Sequence, residues 1–284
     1  IPAVKVADGV ISTSEIISQT VGSANVALSE DAFQRIIKEK HDANIMFLIQ
    51  QANVRSSELK TAKAFQEEVK AIGEAANKQI TNIEISAYAS PDGSLDLNQG
   101  LAEKRQDATA KVVNRNLKKD KMEANVDTKY TAEDWEGFQE LVSKSNIQDK
   151  ELILRVLSMY KEPEQREQEI KNISSVYSAL ADEILPQLRR SRLTLNYEII
   201  GKSDEEIANL ADTNAKELSL EELLYAATLA KDAAKKEAIY TKATQLFPND
   251  YRAFNNLGKL AYEAGDMDKA ENLLKKALSV KENP

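Results

Sequence analysis

Four short segments of β-type residues lie between residues 44 and 200, and no such segment follows Gly201. They are NIMFLIQ (44–50), NIEISAYA (82–89), ANVDTKY (124–130) and RLTLNYEII (192–200). Apolar residues recur at helical spacing between the first three segments, and the stretch 131–188 is helical in pattern. The order β-α-β-α-β, then helices, then β predicts an α+β sandwich with helices on one face of a single sheet.

The chain after Gly201 carries helical patterns that repeat with a period of 34. The two copies are residues 217–250 and 251–284. Apolar and small residues of the second copy fall at tetratricopeptide offsets: Phe254, Leu257, Gly258, Gly265, Ala270, Leu274 and Ala277. The first copy departs from that pattern at Leu224 and Lys236. Since such arrays usually need three repeats, either the array continues elsewhere or it rests on the preceding domain.

These patterns predict three parts. Residues 1–39 form an N-terminal linker or extension, within which Ser29 caps a short helix. Residues 40–202 form the α+β domain with a helical insertion at 131–188, and residues 203–284 form an all-α domain of helical hairpins. Capping-box spacings in the last part, Ser203 with Glu206 and Ser219 with Glu222, predict two of its helix starts.

Charge and composition exclude several classes of protein. The net charge of the 284 residues is −8, which argues against a nucleic-acid partner. The absence of cysteine removes disulfides, thiolate nucleophiles and cysteine-based metal sites. The longest apolar run, Ile45–Ile49, is far shorter than a membrane span. Because the chain starts at Ile1, we expect a processed product from which a signal peptide or lipid anchor has been removed.

The loop YASPDGS at residues 88–94 has the character of an anion-binding turn. Gly93 allows a tight bend, and Ser94 is placed to cap the following helix, whose free N–H groups favour a carboxylate. Arg105, two turns further on, has a guanidinium that suits bidentate carboxylate binding. The same residues also occur in ordinary strand-to-helix turns, with the arginine as a solvated or paired surface charge.

The segment from Ile83 to Val113 resembles the core motif of the OmpA-like domain, also called the OmpA C-terminal domain. That motif reads Asn, two residues, Leu, Ser, two residues, Arg, Ala. Asn98, Leu101 and Arg105 match it, whereas Ala102 and Gln106 stand where the motif has Ser and Ala. The resemblance covers about residues 40–200 and includes the closing LPQLRRSRLTLNYEI. The style of the loop and the tetratricopeptide tail resemble envelope proteins of the Bacteroidetes, which are Gram-negative.

The resemblance implies non-covalent binding of peptidoglycan through the diaminopimelate of its stem peptide. In the family, the motif arginine takes a ligand carboxylate, so Arg105 is expected to keep that role. An aspartate eight residues before the motif asparagine takes the ligand amine, and Ser90 occupies that position here. Losing one charge-assisted hydrogen bond costs about 1.5–3 kcal/mol, or roughly 10–100-fold in affinity. Asp92 is the candidate to replace the missing carboxylate, unless it serves only the turn itself.

The expected ligand-binding residues are therefore Ser90, Asp92, Gly93, Asn98 and Arg105. No catalytic residue, metal ligand or cofactor is expected, because no paired acid–base carboxylates, phosphate-binding loop or metal cluster occur in the sequence. The lone His41 is better explained by a surface or strand-entry position than by catalysis, and Trp135 by packing of the inserted helices.

Two functions remain open at this point. The first is a non-enzymatic periplasmic protein, associated with the outer membrane through a missing N-terminal part. Its OmpA-like domain would bind peptidoglycan, and its tetratricopeptide tail would dock an envelope protein. The second is an envelope assembly scaffold whose OmpA-like domain no longer binds peptidoglycan; Ser90 and Gln106 favour it.

Overall fold

The computed structural model describes residues 26–282, and the side chains of all of these except 174–176. The chain divides into two compact units. Residues 35–201 form an α+β unit. Residues 202–282, together with residues 26–34, form a helical unit.

The α+β unit contains four strands and seven helices. The strands are β1 (Ile36–Met46), β2 (Lys78–Tyr88), β3 (Val126–Thr131) and β4 (Arg190–Ile200). The first two helices are α1 (Glu58–Glu74) and α2 (Leu95–Asp120). The insertion contributes α3 (Trp135–Lys144), α4 (Lys150–Met159), α5 (Pro163–Asn172), α6 (Ser174–Ala179) and α7 (Leu185–Leu188), the last two joined by a π-helical turn, Leu180–Ile184.

The four strands form one mixed sheet in the order β1-β4-β2-β3. Strand β4 lies in the centre and pairs antiparallel with both β1 and β2, while β2 and β3 are parallel. The parallel pair is joined through α2, as a parallel connection requires a crossover. Strand β4, the last in sequence, thus lies between two strands that occur much earlier in the sequence.

Helices α1 and α2 cover one face of this sheet. Residues at alternate positions of β2 and β4 point into the core with them: Ile83, Ile85, Leu193 and Leu195 are fully buried. The residues between these positions carry polar side chains, such as Glu84 and Thr194, on the opposite face. This four-stranded mixed sheet with helices on one face fits the α+β arrangement expected of an OmpA-like domain.

The insertion has an apolar core of its own. Phe138, Val142, Ile153 and Leu188 are among its buried residues, and Trp135 packs edge-to-face on Phe138 at 5.6 Å between ring centroids. These contacts agree with the packing role expected for Trp135.

The described residues of the helical unit form five α-helices and one short 3-10 helix, Ala215–Glu217. The α-helices are α8 (Asp204–Thr213), α9 (Leu220–Leu229), α10 (Ala233–Leu246), α11 (Tyr251–Glu263) and α12 (Met267–Val280). Both predicted capping boxes are present, at Ser203 with Glu206 and at Ser219 with Glu222. The N-caps of α10 and α12, Asp232 and Asp266, lie 34 positions apart, in step with the sequence period.

Small residues allow α11 and α12 to approach closely. A Cβ built on Gly258 would lie 2.9 Å from Leu274 Cγ and Cδ2, and Ala270 and Ala277 are buried in the facing helix. Gly265, in the turn between the two helices, has φ +82°, which side-chain-bearing residues rarely adopt. Glycine is thus favoured at these two repeat positions for different reasons: the close helix contact at Gly258 and the backbone conformation at Gly265.

Three sequence-based predictions need correction. The segment from Ser29 to Phe33 forms no helix, and Ile36 and Ile37 belong to β1 instead. Residues 35–39 therefore lie in the α+β unit rather than in an extension. The first strand ends at Met46, so residues 47–50 are loop. Their continuous apolar character predicts a buried strand, but the structure does not form one there. The first 25 residues of the predicted linker or extension lie outside the described residues.

The helix-crossing geometry predicts opposite effects for two glycine substitutions. Gly258→Ala should destabilise the helical unit by about 1–3 kcal/mol, because the new methyl group overpacks against Leu274. Gly100→Ala is the matched control within α2, where a Cβ meets no atom within 4 Å. It should stabilise its unit by about 0.4–1 kcal/mol. Urea unfolding followed by circular dichroism measures both, and a neutral Gly258→Ala would contradict the close crossing.

Candidate functional site

The loop between β2 and α2 is shaped by its polar side chains. Ser94 is the N-cap of α2 and accepts a hydrogen bond from Leu97 N at 3.4 Å. The buried Asn98 side chain donates to Gly93 O at 3.0 Å and to Glu133 Oε1 at 3.2 Å. Gly93 does not have a positive φ, so its contribution is small size: a Cβ there would lie 3.3 Å from Asn98 Oδ1.

Arg105 is held by backbone carbonyls rather than by a carboxylate. Its Nε donates to Gln51 O at 2.9 Å, Nη1 to Tyr88 O at 2.8 Å and Nη2 to Leu48 O at 3.3 Å. The guanidinium lies 5.3 Å from the centre of the Phe47 ring, and the residue is only 1% exposed. Of its five N–H donors, one on each terminal nitrogen has no acceptor among the described residues.

Ser90 and Asp92 form a second cluster with Arg189. Ser90 Oγ donates to Asp92 Oδ1 at 2.6 Å and accepts from Arg189 Nε at 3.1 Å. Arg189 Nη2 lies 2.8 Å from Asp92 Oδ2, and both side chains of this ion pair are mostly buried. Asp92 therefore has a cationic partner within the protein.

Arg189 was not predicted as a site residue. The arginine-rich end LRRSR before the last strand is one signal, but it does not indicate which of its three arginines turns toward the loop. The structure separates them: Arg189 reaches Asp92, whereas Arg190 pairs with Asp134 Oδ2 at 2.8 Å.

The five predicted residues meet around one small cavity. Ser90, Asp92, Gly93, Asn98 and Arg105 all line a cavity of about 60 Å³, together with Arg189 and apolar side chains from Ile49, Leu97 and Leu101. The structure therefore brings the predicted set together, while their roles in ligand binding stay predictions.

The electrostatics of this cavity favour an anion. Burial and, after it, the nearby charge of Arg189 lower the pKa of Arg105, and Asp92 raises it; together they bring the pKa to about 10. Arg105 nevertheless stays protonated at neutral pH. Two guanidinium groups thus face one carboxylate, and the cavity carries an excess positive charge with free N–H donors.

His41, the other polar candidate of the sequence, is not among the residues that line this cavity. His41 lies exposed in β1, with its ring 6.1 Å from the Phe65 ring. The described residues contain no group of three or more His, Asp or Glu side chains placed to hold a metal ion. Among residues 26–282, no helix combines the length and apolar character needed to cross a membrane.

The fold and the cavity define a class of protein: a small α+β domain with an anion-suited pocket at a strand-to-helix loop. One solved structure similar to this chain is the OmpA-like domain of FopA1 from Francisella tularensis subsp. tularensis SCHU S4. The identity is 15%, the alignment covers 60% of this chain and 82% of the other, and the TM-score is 0.31. No protein-family profile matches the sequence. No curated protein matches it either.

The contacts of Arg105 predict a large effect on stability. Arg105→Met should cost about 2–4 kcal/mol, because it removes three hydrogen bonds from a buried guanidinium to main-chain carbonyls. Arg115→Met is the matched control, since Arg115 is exposed on the same helix and should change stability by less than about 0.5 kcal/mol. Denaturant unfolding measures both values. Equal stability of the two variants would contradict the anchoring of Arg105.

Proposed function

We propose that this chain is a non-enzymatic cell-envelope protein whose α+β unit binds the peptidoglycan stem peptide and whose helical unit docks a second protein. One observation carries the first part: Arg105 is a buried cation without a carboxylate partner in residues 26–282, and it lines a cavity that it shares with Arg189. Buried charges are normally paired, so an unpaired guanidinium at a cavity is explained by an anionic ligand.

The size of the cavity limits what enters it. A volume of about 60 Å³ suits a carboxylate group, since one water molecule takes about 30 Å³ of liquid. The free N–H groups of Arg105 and the guanidinium of Arg189 would bind a diaminopimelate carboxylate. Asp92 would bind the neighbouring amine of the ligand, since Ser90 occupies the position of the aspartate that does so in the family. Because Asp92 must then share its charge with Arg189, the affinity is expected to be weak.

The setting of this proposal follows from the OmpA-like resemblance. Peptidoglycan binding would require a periplasmic location, next to the outer membrane of a Gram-negative cell. The net charge of −8 supports the absence of a nucleic-acid partner. The tetratricopeptide-like period supports protein docking by the helical unit.

A second candidate function is an assembly scaffold without peptidoglycan affinity. It is favoured by the ion pair of Asp92 with Arg189, which already satisfies the carboxylate that the ligand amine needs. In that case the cavity is a structural remnant, and both units bind proteins.

Titration with a diaminopimelate-containing muropeptide tests the first candidate. Wild type should bind, and Asp92→Asn should weaken binding roughly 10–100-fold by removing the partner of the ligand amine. Asp96→Asn is the control, because Asp96 is an exposed carboxylate in the first turn of α2, directly after the loop that carries Asp92. Isothermal calorimetry measures all three. Equal affinities of wild type and Asp92→Asn would contradict the role of Asp92.

The variant Ser90→Asp separates the two candidates. If the α+β unit still binds the stem peptide, a carboxylate at the position where the family has one should raise affinity about tenfold, by adding a charge-assisted hydrogen bond. A muropeptide that carries an amidated diaminopimelate carboxylate serves as the ligand-side control and should lose binding to Arg105 and Arg189. Absence of binding in both wild type and Ser90→Asp would leave the scaffold function.

A further inference from the structure

The N-terminal residues 26–34, here called the strap, lie on the helical unit without forming a helix or strand. The amide of Asn256 makes a double contact with the main chain of the strap. Its Oδ1 accepts from Ser29 N, and its Nδ2 donates to Ser29 O, both at 2.8 Å. Asn256 is 1% exposed, so these bonds form where water does not compete.

Two more side chains of the helical unit bind the strap. Asn255 Nδ2 donates to Ala27 O at 2.8 Å. Glu221 Oε2 accepts from Ala32 N at 2.6 Å, and Arg252 fixes that carboxylate from the other side. Most of these bonds go to the main chain of the strap, so they recognise an extended backbone rather than one particular sequence.

One side chain of the strap acts as an anchor, while the space beside it is incompletely filled. The ring of Phe33 stacks on Tyr225 with 4.4 Å between centroids, and Phe33 packs against the core of the helical unit. A cavity of about 210 Å³ remains, lined by Leu28, Ser29, Glu30 and Asp31 of the strap and by Leu224, Thr228 and Tyr240 of the helices. This face therefore has room for a larger occupant than the strap.

We infer that the face formed by Glu221, Tyr225, Asn255 and Asn256 is a binding site for an extended peptide segment, and that the strap is its ligand in cis. Side-chain amides of the site hydrogen-bond to the peptide backbone. Tyr225 stacks on an aromatic residue four positions after the residue whose main chain pairs with Asn256. The strap joins these helices across more than 180 residues of sequence, so local chain connectivity does not impose the contact. A separate peptide with the same backbone and aromatic anchor can occupy the same face when the strap leaves.

This inference deepens the docking role proposed for the helical unit and rests on that part of the proposed function alone. It names the kind of segment that is docked and the residues that hold it. A covalently attached ligand competes at high effective concentration, so binding in trans should be weak until the strap is weakened.

The test uses the full chain and a labelled peptide of the strap sequence, VALSEDAFQ (residues 26–34). Fluorescence anisotropy compares wild type with the double variant Ser29→Pro/Phe33→Ala, which changes only the strap. Proline removes the N–H that Asn256 accepts, and alanine removes the stacking ring. We expect the double variant to bind the peptide at least tenfold more tightly than wild type. Ser29→Pro alone, a milder change, should give an intermediate gain.

A ligand-side control probes the contact with Asn256 without changing the protein. A labelled peptide with proline at the position of Ser29 should bind the double variant at least tenfold more weakly than the natural sequence. Exchange of straps between two copies would appear as a wild-type dimer that the peptide dissociates, and it would place the same segment on the same face. Two results would overturn the inference: no peptide binding by a folded double variant, or equal binding of the two peptides.

The outcome is independent of peptidoglycan binding. The double variant is also titrated with the muropeptide, whose proposed site lies in the α+β unit. Retained muropeptide binding without peptide binding would refute this inference alone, whereas the reverse result would refute only the proposed function of the α+β unit.

Discussion

The guanidinium of Arg105 joins parts of the α+β unit that are distant in sequence. Through Leu48 O and Gln51 O it fixes the loop after β1, and through Tyr88 O it fixes the end of β2. A buried arginine bound only to carbonyls satisfies their lone pairs but keeps its own charge uncompensated. The cavity between the β2–α2 loop and α2 thus combines a rigid wall with an unbalanced positive charge. Both the stability of the loop and the proposed anion binding depend on this one side chain.

The two units have their polar groups arranged in a related way. In the α+β unit, Asp92 is already paired with Arg189, so a ligand must share or displace an internal contact. In the helical unit, Asn256 is already paired with the backbone of the strap. A site occupied by a group of the protein itself binds weakly in trans, since each new contact replaces an existing one.

Periodicity predicted most of the fold because burial imposes it. The alternating Ile83, Ile85, Leu193 and Leu195 had to face one core, and the period of 34 indicated the helical hairpins. Strand β1 was misplaced because its residues are mostly exposed at the sheet edge, where periodicity is weak. For the site, the loop motif predicted which residues meet. The motif could not predict the ion pair of Arg189 with Asp92, or the contact of the strap with Asn256. Both contacts join residues about 100 or more positions apart in sequence.

The exchange of the Arg105 Nε–H proton with solvent tests the central claim most directly. Proton–nitrogen NMR of arginine side chains resolves this signal, and the exposed Arg115 on the same helix provides the reference. If Arg105 is locked to Gln51 O inside the unit, its Nε–H should exchange on the order of 100-fold or more slowly than that of Arg115. An exchange rate equal to that of Arg115 would contradict the account, because the guanidinium would then be solvated and the cavity would lose its buried charge.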